Sequence, residues 1–361
     1  MKHLKIMGLG LVAAFAFVAL AASSASAAGP EWGRCVAQSK GHYEDGNCTK
    51  EKFKESKGKK TYSGKYEWKA GAPATVECEA KKKGNYLTSA CDTEKESKGK
   101  VEEHKGKFEK YGPNFTAAAG EGVLKASIYE CRNSEGRVQV PRKNPECEEF
   151  ENNIEEIGVE CTSEHATGEA TGTDEVANVS VRFKGCQLFG IPAETHGLAS
   201  GEIQVSTLKG KLGYINKSAT PEPEVGVLLE PAAGGLFAEF ELEEVPLTTR
   251  VGVGNATAGA FYEPEATGGY DGVISPITPI NQMTHTFTQS YKAQVTKGVI
   301  PTCCGLGNKV ENVPSHFEGG HIELLETYLE NTEENFKEMW SPAAQELTNT
   351  NTVEGEAEIK G

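Results

Sequence analysis

The sequence is short of tryptophan and of long apolar runs, and each shortage limits what the protein can be. Hydrophobic residues make up 37% of the 361 positions, and three residues are tryptophan. After the N-terminal segment, no apolar run approaches the roughly 18 to 20 residues that a membrane-spanning helix requires. We therefore expect no membrane span beyond that segment.

The common catalytic and metal-binding motifs are also missing or incomplete. No pair of cysteines has Cys-x-x-Cys spacing, and His316, Glu318 and His321 do not follow the His-Glu-x-x-His pattern of a zinc-binding helix. Ser206 and Lys209 have Ser-x-x-Lys spacing, but the companion motifs of penicillin-recognising serine enzymes are absent. We expect no metal and no cofactor, and the sequence favours a protein without catalytic function.

The first 28 residues have the features of a secretory signal peptide. Lys2 and Lys5 precede an apolar run from about Leu9 to Ala22, and small residues follow as far as Ala28. This order of basic, apolar and small residues is typical of export signals that are cleaved. We expect residues 1–28 to be removed and the remaining chain to be secreted, either free outside the cell or associated with the cell wall.

The ten cysteines all lie beyond this segment, and an even number in an exported chain indicates disulfides. The adjacent residues Cys303 and Cys304 either close a strained ring with each other or bridge to Cys161 and Cys186, and both alternatives stay open. Pairing between neighbours in sequence would join Cys35 to Cys48, Cys78 to Cys91, Cys131 to Cys147 and Cys161 to Cys186.

Two segments with the same cysteine spacing indicate a repeated unit. Residues 35–48 and 78–91 each begin and end with cysteine and contain Gly-x-Tyr, and each is followed by ESKGK and then by GKYE or GKFE. The period is about 42 residues. A glycine in the middle of each loop lets the chain turn back, so we expect each disulfide to staple a short hairpin.

Charge divides the chain into a basic and an acidic part. Residues 29–113 contain 19 Lys and Arg against 14 Asp and Glu, whereas residues 114–361 contain 16 against 38. Such an acidic surface would repel a phosphate backbone, so we expect no nucleic-acid partner. We interpret residues 29–113 as two basic repeat units and residues 114–361 as an acidic β domain, in which residues 114–158 are a degenerate third unit or a linker.

The acidic part shows the alternation of half-buried antiparallel strands. In THTFTQSYKAQV, for example, His285, Phe287 and Tyr291 share one face and threonines occupy the other. Turn-rich breaks such as TPEPE and PAAGG separate these runs. We predict a mainly β protein in which the repeat units precede an antiparallel β-sandwich or open barrel. Residues 321–340 fit either a short helix or a strand followed by an acidic loop.

Several segments together resemble a known group of sequences. The Cys-x12-Cys units with GKYEW (64–68), the segment 159–186, GEIQVSTLKGKLGYI (201–215), LFAEF (236–240) and the closing EGEAEIKG resemble a family of secreted, cysteine-containing proteins of soil actinobacteria. The resemblance spans nearly the whole chain after residue 28. It implies export and a β-rich fold, and it implies no activity.

Aromatic residues alternate with lysines in the repeat units, which suits stacking on sugars or contact with anionic wall polymers. The alternative is that the aromatic rings form the small core of each unit. We predict a secreted, non-enzymatic protein of the extracellular space or cell envelope that binds wall polymers or glycans. Its candidate binding residues are Tyr43, Tyr66, Trp68, Tyr86 and Phe108.

The alternative function is that of a jelly-roll-like glycoside hydrolase. Glu239, Glu241 and Glu244 resemble the Glu-x-Asp-x-x-Glu strand of jelly-roll glucanases, with glutamate in place of the aspartate. A retaining glycosidase needs two carboxyl groups about 5 to 5.5 Å apart. Glu239 and Glu241 share one face of a regular strand, whereas Glu244 joins them only if a bulge intervenes.

Overall fold

The computed structural model shows a mainly β protein. Its described residues are 29–73, 75–94, 96–97, 100–101, 105–128, 131–132, 138–139, 149–150, 155–243, 248–255, 270–291, 317–318, 322–323, 325–331 and 339–361.

The N-terminal segment forms short antiparallel ladders. Its strands are β1 (Glu31–Gly41), β2 (Phe53–Ser56), β3 (Lys59–Tyr62), β4 (Gly64–Ala70), β5 (Glu77–Gly84), β6 (Glu96–Ser97), β7 (Lys100–Val101) and β8 (Gly106–Tyr111). β1 pairs with β4, β2 with β3, β5 with β8, and β6 with β7. In each of the two longer ladders the chain approaches itself closely at a glycine. A Cβ at Gly41 would lie 2.1 Å from the backbone oxygen of Tyr66, and a Cβ at Gly84 would lie 2.1 Å from the backbone oxygen of Phe108.

Within the described residues, three disulfides join cysteines that are neighbours in sequence. Cys35 pairs with Cys48 and Cys78 with Cys91, so each closes the loop that follows β1 or β5. Cys161 pairs with Cys186 rather than with Cys303 or Cys304. Of the other predicted partners, Cys147, Cys303 and Cys304 lie outside the described residues, and Cys131 is described in its backbone alone.

The rest of the chain continues as strands. They are β9 (Asn114–Ala119), β10 (Gly122–Ile128), β11 (Cys131–Arg132), β12 (Val138–Gln139), β13 (Glu149–Phe150), β14 (Glu155–Cys161), β15 (Ser163–Thr171), β16 (Glu175–Lys184), β17 (Gln187–Leu188), β18 (Ile191–Glu194), β19 (Glu202–Gln204), β20 (Leu208–Asn216), β21 (Glu224–Pro231), β22 (Leu236–Glu243), β23 (Thr248–Asn255), β24 (Tyr270–Thr278), β25 (Thr284–Tyr291), β26 (Ile322–Glu323), β27 (Leu325–Asn331) and β28 (Met339–Lys360).

Eight of these strands close into an antiparallel barrel. The order around the wall is β9, β15, β16, β20, β21, β24, β25 and β28, and β28 returns to β9. Closure depends on β28, which pairs with β25 along one edge and with β9 along the other. The predicted sandwich or open barrel is therefore corrected to a closed barrel, in which each of the eight strands pairs with a strand on both of its sides.

Further strands extend the wall beyond one end of the barrel. β10 continues the line of β9 and pairs with β14, which leads into β15, so the same ladder runs from Glu169 opposite Asn114 to Glu155 opposite Ile128. The first half of β28 pairs with β10 and β27, and β17, β18, β22 and β23 complete this circuit. Residues 114–128, which the sequence assigns to a third unit or linker, thus belong to the wall. The ambiguous segment 321–340 forms strands where it is described.

One apolar core lies inside both the barrel and its extension, because alternate side chains of each strand point inward. On β25, Phe287 and Tyr291 are buried while Thr286 and Thr288 are exposed, which is the alternation that the sequence predicts. On β22, Ala238, Phe240 and Leu242 are buried. Phe237 is buried as well, because the register of β22 against β23 shifts between Leu236 and Ala238.

The N-terminal segment covers the end of the barrel opposite to this extension. β1 pairs with the last residues of β28, and Trp32 of β1 packs edge-on against Phe287 with ring centroids 5.6 Å apart. The backbone N–H of Trp32 donates to Thr173 O in the turn between β15 and β16 (2.6 Å). Lys81 and Lys110 of the second ladder form ion pairs with Glu356 and Glu354 of β28.

Candidate ligand-binding cavity

A cavity of about 160 Å³ lies inside the barrel. Its size is close to that of cavities which accept a benzene-sized molecule in other proteins. Much of the lining is apolar and comes from the inward positions of strands all around the wall, including Phe115, Ala117, Ala166, Val179, Val227 and Phe287.

Small residues on β9 and β15 keep this cavity open. Ala117 faces Ala166 across the ladder, and both are buried with only a methyl group directed inward. Larger side chains at these positions would fill an eight-stranded barrel completely.

A connected line of polar side chains runs along one side of the cavity, and all but the first of them line it. We call it the polar stripe: Ser275, Gln289, Asn351, Asn349 and Glu164. Gln289 Nε2 donates to Ser275 Oγ (3.2 Å), and Asn351 Nδ2 donates to both Gln289 Oε1 (2.9 Å) and Asn349 Oδ1 (3.1 Å). Because its oxygen is used in this way, Asn349 donates from its nitrogen to the carboxyl group of Glu164. All five side chains are buried, which makes their mutual hydrogen bonds necessary.

Glu164 is the end of the stripe and is incompletely satisfied. Its side chain is 4% exposed, and Oε2 has no hydrogen-bond partner among the described residues. Burial raises the pKa of Glu164 to about 7, and the hydrogen bond from Asn349 opposes that rise only in part. The barrel therefore holds a carboxyl group that changes charge near neutral pH and faces an apolar space.

The other charged side chains that line the cavity are Arg34, Glu346, Glu354 and Glu356. Arg34 is paired with Glu77 (2.5 Å) and Glu79 (2.9 Å) and stacks over the Tyr111 ring at 4.8 Å from its centroid. These contacts tie the first ladder to the second one at the covered end of the barrel.

The predicted aromatic binding residues lie in the N-terminal ladders, away from this cavity. Tyr43 and Trp68 hold the chain's own Lys360, whose Nζ lies 4.7 Å and 4.1 Å from the two ring centroids and donates to Cys48 O (3.1 Å). Burial lowers the pKa of Lys360. A cation held between two rings in this way stabilises the pairing of β1 with the last residues of β28.

The remaining predicted aromatic residues form cross-strand pairs. Tyr66 faces Tyr43 across a β-bridge, and Phe108 faces Tyr86 in the same way. All four rings are half-buried. The backbone thus places these aromatic residues opposite one another, and their binding of a polymer stays a prediction.

The carboxylates of the glycosidase hypothesis lie on the outside of the wall. Glu239 is exposed and Glu241 is half-buried on β22, while the buried residues between and beside them point into the core. His196 Nδ1 lies 3.7 Å from Glu241 Oε2. Neither glutamate lines the cavity, and Glu244 lies outside the described residues.

Sequence reasoning missed the polar stripe. A signal was present in TNTNTV, where Asn349 and Asn351 alternate with threonine between Leu347 and Val353 and therefore share the face of two apolar residues. Gln289 likewise lies between Phe287 and Tyr291 on the inward face. Glu164 gave no such signal, because its inward neighbours on β15 are alanine and glycine.

The comparisons with known proteins add no functional assignment. Comparison of the chain with protein-family models, with curated proteins and with solved structures finds no match. Among the described residues, no cluster of three or more histidine, cysteine, aspartate or glutamate side chains is arranged to hold a metal ion. The described segments also include no helix with the length and apolar character needed to cross a membrane. The disulfides are compatible with a location outside the cell.

Proposed function

We propose that this protein is a non-catalytic binding protein that is exported and holds a small apolar molecule inside its β-barrel. The observation that carries the proposal is the cavity of about 160 Å³ in the closed barrel, with its largely apolar lining. A closed eight-stranded barrel is either filled by its own side chains or holds one small ligand. Ala117 of β9 and Ala166 of β15 favour the second outcome, because their methyl groups take up little volume at the centre.

Filling the cavity should abolish binding of a neutral apolar probe. We expect the wild-type chain to bind toluene in isothermal titration calorimetry, and Ala117→Leu to lose that binding because the larger side chain occupies the space. Ala118→Leu is the matched control, since Ala118 is the next residue of β9 and is exposed on the outer face. Equal toluene binding by both variants, or no binding by the wild type, contradicts the proposal.

A second candidate function is attachment to anionic polymers of the cell wall through the N-terminal segment. It is supported by the hairpin of β2 and β3, where Lys54, Lys57 and Lys59 are exposed next to Phe53, itself 37% exposed. Lys60 lies over the Phe53 ring at 4.2 Å from its centroid. Exposed cations beside an exposed ring suit a polymer of sugars and anionic groups.

This attachment should depend on those lysines and on salt. We expect the full chain to pellet with purified cell walls at low ionic strength and to be released as salt screens the charges. Lys57→Gln with Lys59→Gln should weaken pelleting. The same change at Lys184 and Lys209, which are exposed on the barrel, is the control. Pelleting that does not respond to salt, or that both double variants weaken equally, argues against the hairpin.

A further inference from the structure

We infer that the ligand of the barrel is a small lipophilic amine whose nitrogen donates to Glu164 Oε2. This inference rests on the proposed function, because it assigns the chemistry of the molecule inside the same cavity. The ligand would place its apolar part against the alanine and phenylalanine side chains and its nitrogen at the end of the polar stripe.

Once Glu164 is ionised, the unused atom at this site is a hydrogen-bond acceptor. Glu164 Oε2 is buried and has no partner within the described part of the chain, and Glu164 lines the cavity. Leaving a buried polar atom unpaired is costly, so a ligand that brings a donor gains more than one that brings only apolar surface. A ligand that brings an acceptor gains nothing at an ionised Oε2.

The polar stripe supplies no donor of its own to this atom. The amide nitrogens of Gln289 and Asn351 already donate within the stripe, and Asn349 donates to the Glu164 carboxyl group. Asn351 donates to Asn349 and Asn349 donates to Glu164, so both amide dipoles point their positive ends towards the carboxyl group. Successive hydrogen bonds of this kind polarise one another and favour a negative charge at the end of the line.

A cationic nitrogen fits this end better than a neutral donor. A buried carboxylate is stable only when it is paired, and an ammonium group inside an apolar cavity needs a counter-charge for the same reason. The positive group that lines the cavity, Arg34, is already paired with Glu77 and Glu79. Of the carboxylates that line it, Glu354 and Glu356 are paired with Lys110 and Lys81, and Glu346 has other contacts.

Three probes of nearly equal shape separate the alternatives: benzylamine, benzyl alcohol and toluene. At pH 8 we expect the wild-type chain to bind benzylamine at least about tenfold more tightly than toluene, a difference that calorimetry resolves. Benzyl alcohol should fall between them, because it donates without carrying charge. The affinity for benzylamine should rise between pH 5.5 and 8 as Glu164 ionises, while the affinity for toluene stays constant.

Glu164→Gln removes the charge and keeps the shape, so it should remove the preference for benzylamine and leave toluene binding within about twofold. Glu160→Gln is the matched control, because Glu160 is an exposed glutamate on the neighbouring strand β14. If Glu164→Gln does not fold, the pH profile of the wild type provides the same test.

The outcomes distinguish this inference from the proposed function. Binding of toluene without a preference for benzylamine overturns the amine assignment and leaves the apolar cavity as the binding site. Absence of binding by all three probes overturns both. A preference for benzylamine that Glu164→Gln and Glu160→Gln reduce equally places the amine at another acidic site, and the inference is then wrong.

Discussion

Replacement of Phe287 by alanine is expected to lower the free energy of unfolding by about 3 to 5 kcal/mol, the usual cost of removing a fully buried phenylalanine ring. Phe287 is 1% exposed, and its ring packs edge-on against Trp32. The substitution therefore opens space in the core and also removes the contact by which Trp32 of β1 packs over the end of the barrel. Urea unfolding at a fixed pH measures the change.

Thr288→Ala is the control for this prediction. Thr288 is the next residue of β25 and is exposed, so its replacement should change the free energy of unfolding by less than about 0.5 kcal/mol. A cost below about 1 kcal/mol for Phe287→Ala would contradict the packing of Trp32 and Phe287 at the closed end of the barrel.

The second large effect is a loss of stability as the pH rises from about 5 to about 8. Burial raises the pKa of Glu164 and of Glu358 to about 7, above the value of 4.5 for an unperturbed glutamate. The folded state therefore keeps protons that the unfolded chain releases. The contribution of these two protonated groups to the free energy of unfolding is complete below pH 4.5 and declines as the pH rises through 7. Each group contributes on the order of 3 kcal/mol, from a shift of two to three pKa units.

Glu164→Gln should remove about half of this slope, because glutamine stays neutral at every pH. We expect the variant to match the wild type near pH 5 and to be the more stable of the two at pH 8, as measured by urea unfolding. The slope that remains comes from Glu358, which lies near Lys360 and Asp45. Glu160→Gln, on the outer surface, should keep the full slope. An unchanged slope in Glu164→Gln would show that Glu164 is not buried as described.

The local features of this chain could be read from its sequence because they depend on residues close together. The disulfides between Cys35 and Cys48 and between Cys78 and Cys91 follow from two loops of identical length. The alternation on β25 follows from a period-two pattern within eight residues. In each case the deciding interactions lie within one hairpin or one strand.

Closure of the barrel could not be read in this way. It depends on β28 pairing with β9, in which Asn349 lies opposite Ala119, more than 200 positions earlier in the chain. Each of these strands has an acceptable alternation by itself, so a sandwich, an open barrel and a closed barrel all fit the pattern. The number of strands and their stagger decide among them, and both are properties of the whole sheet.

The candidate site was missed for a related reason. A polar residue on a strand is usually taken as outward-facing, and that rule fails where polar side chains satisfy one another inside a barrel. Asn349, Asn351 and Gln289 lie at inward positions because Leu347, Phe287 and Tyr291 fix the direction of their strands. The sequence also predicts Tyr43 and Trp68 as binding residues because they are aromatic and lie among lysines, and it gives no sign that both rings lie beside Lys360, about 300 positions later in the chain.

Binding inside the barrel requires an apolar space large enough for a ligand. A crystal structure of the chain under xenon pressure probes this space, because xenon enters apolar cavities of this size without requiring a specific partner. We expect xenon density inside the barrel, in contact with Ala117 and Ala166. A barrel interior filled by its own side chains, with no xenon beside these two alanines, would show that the barrel holds no ligand there.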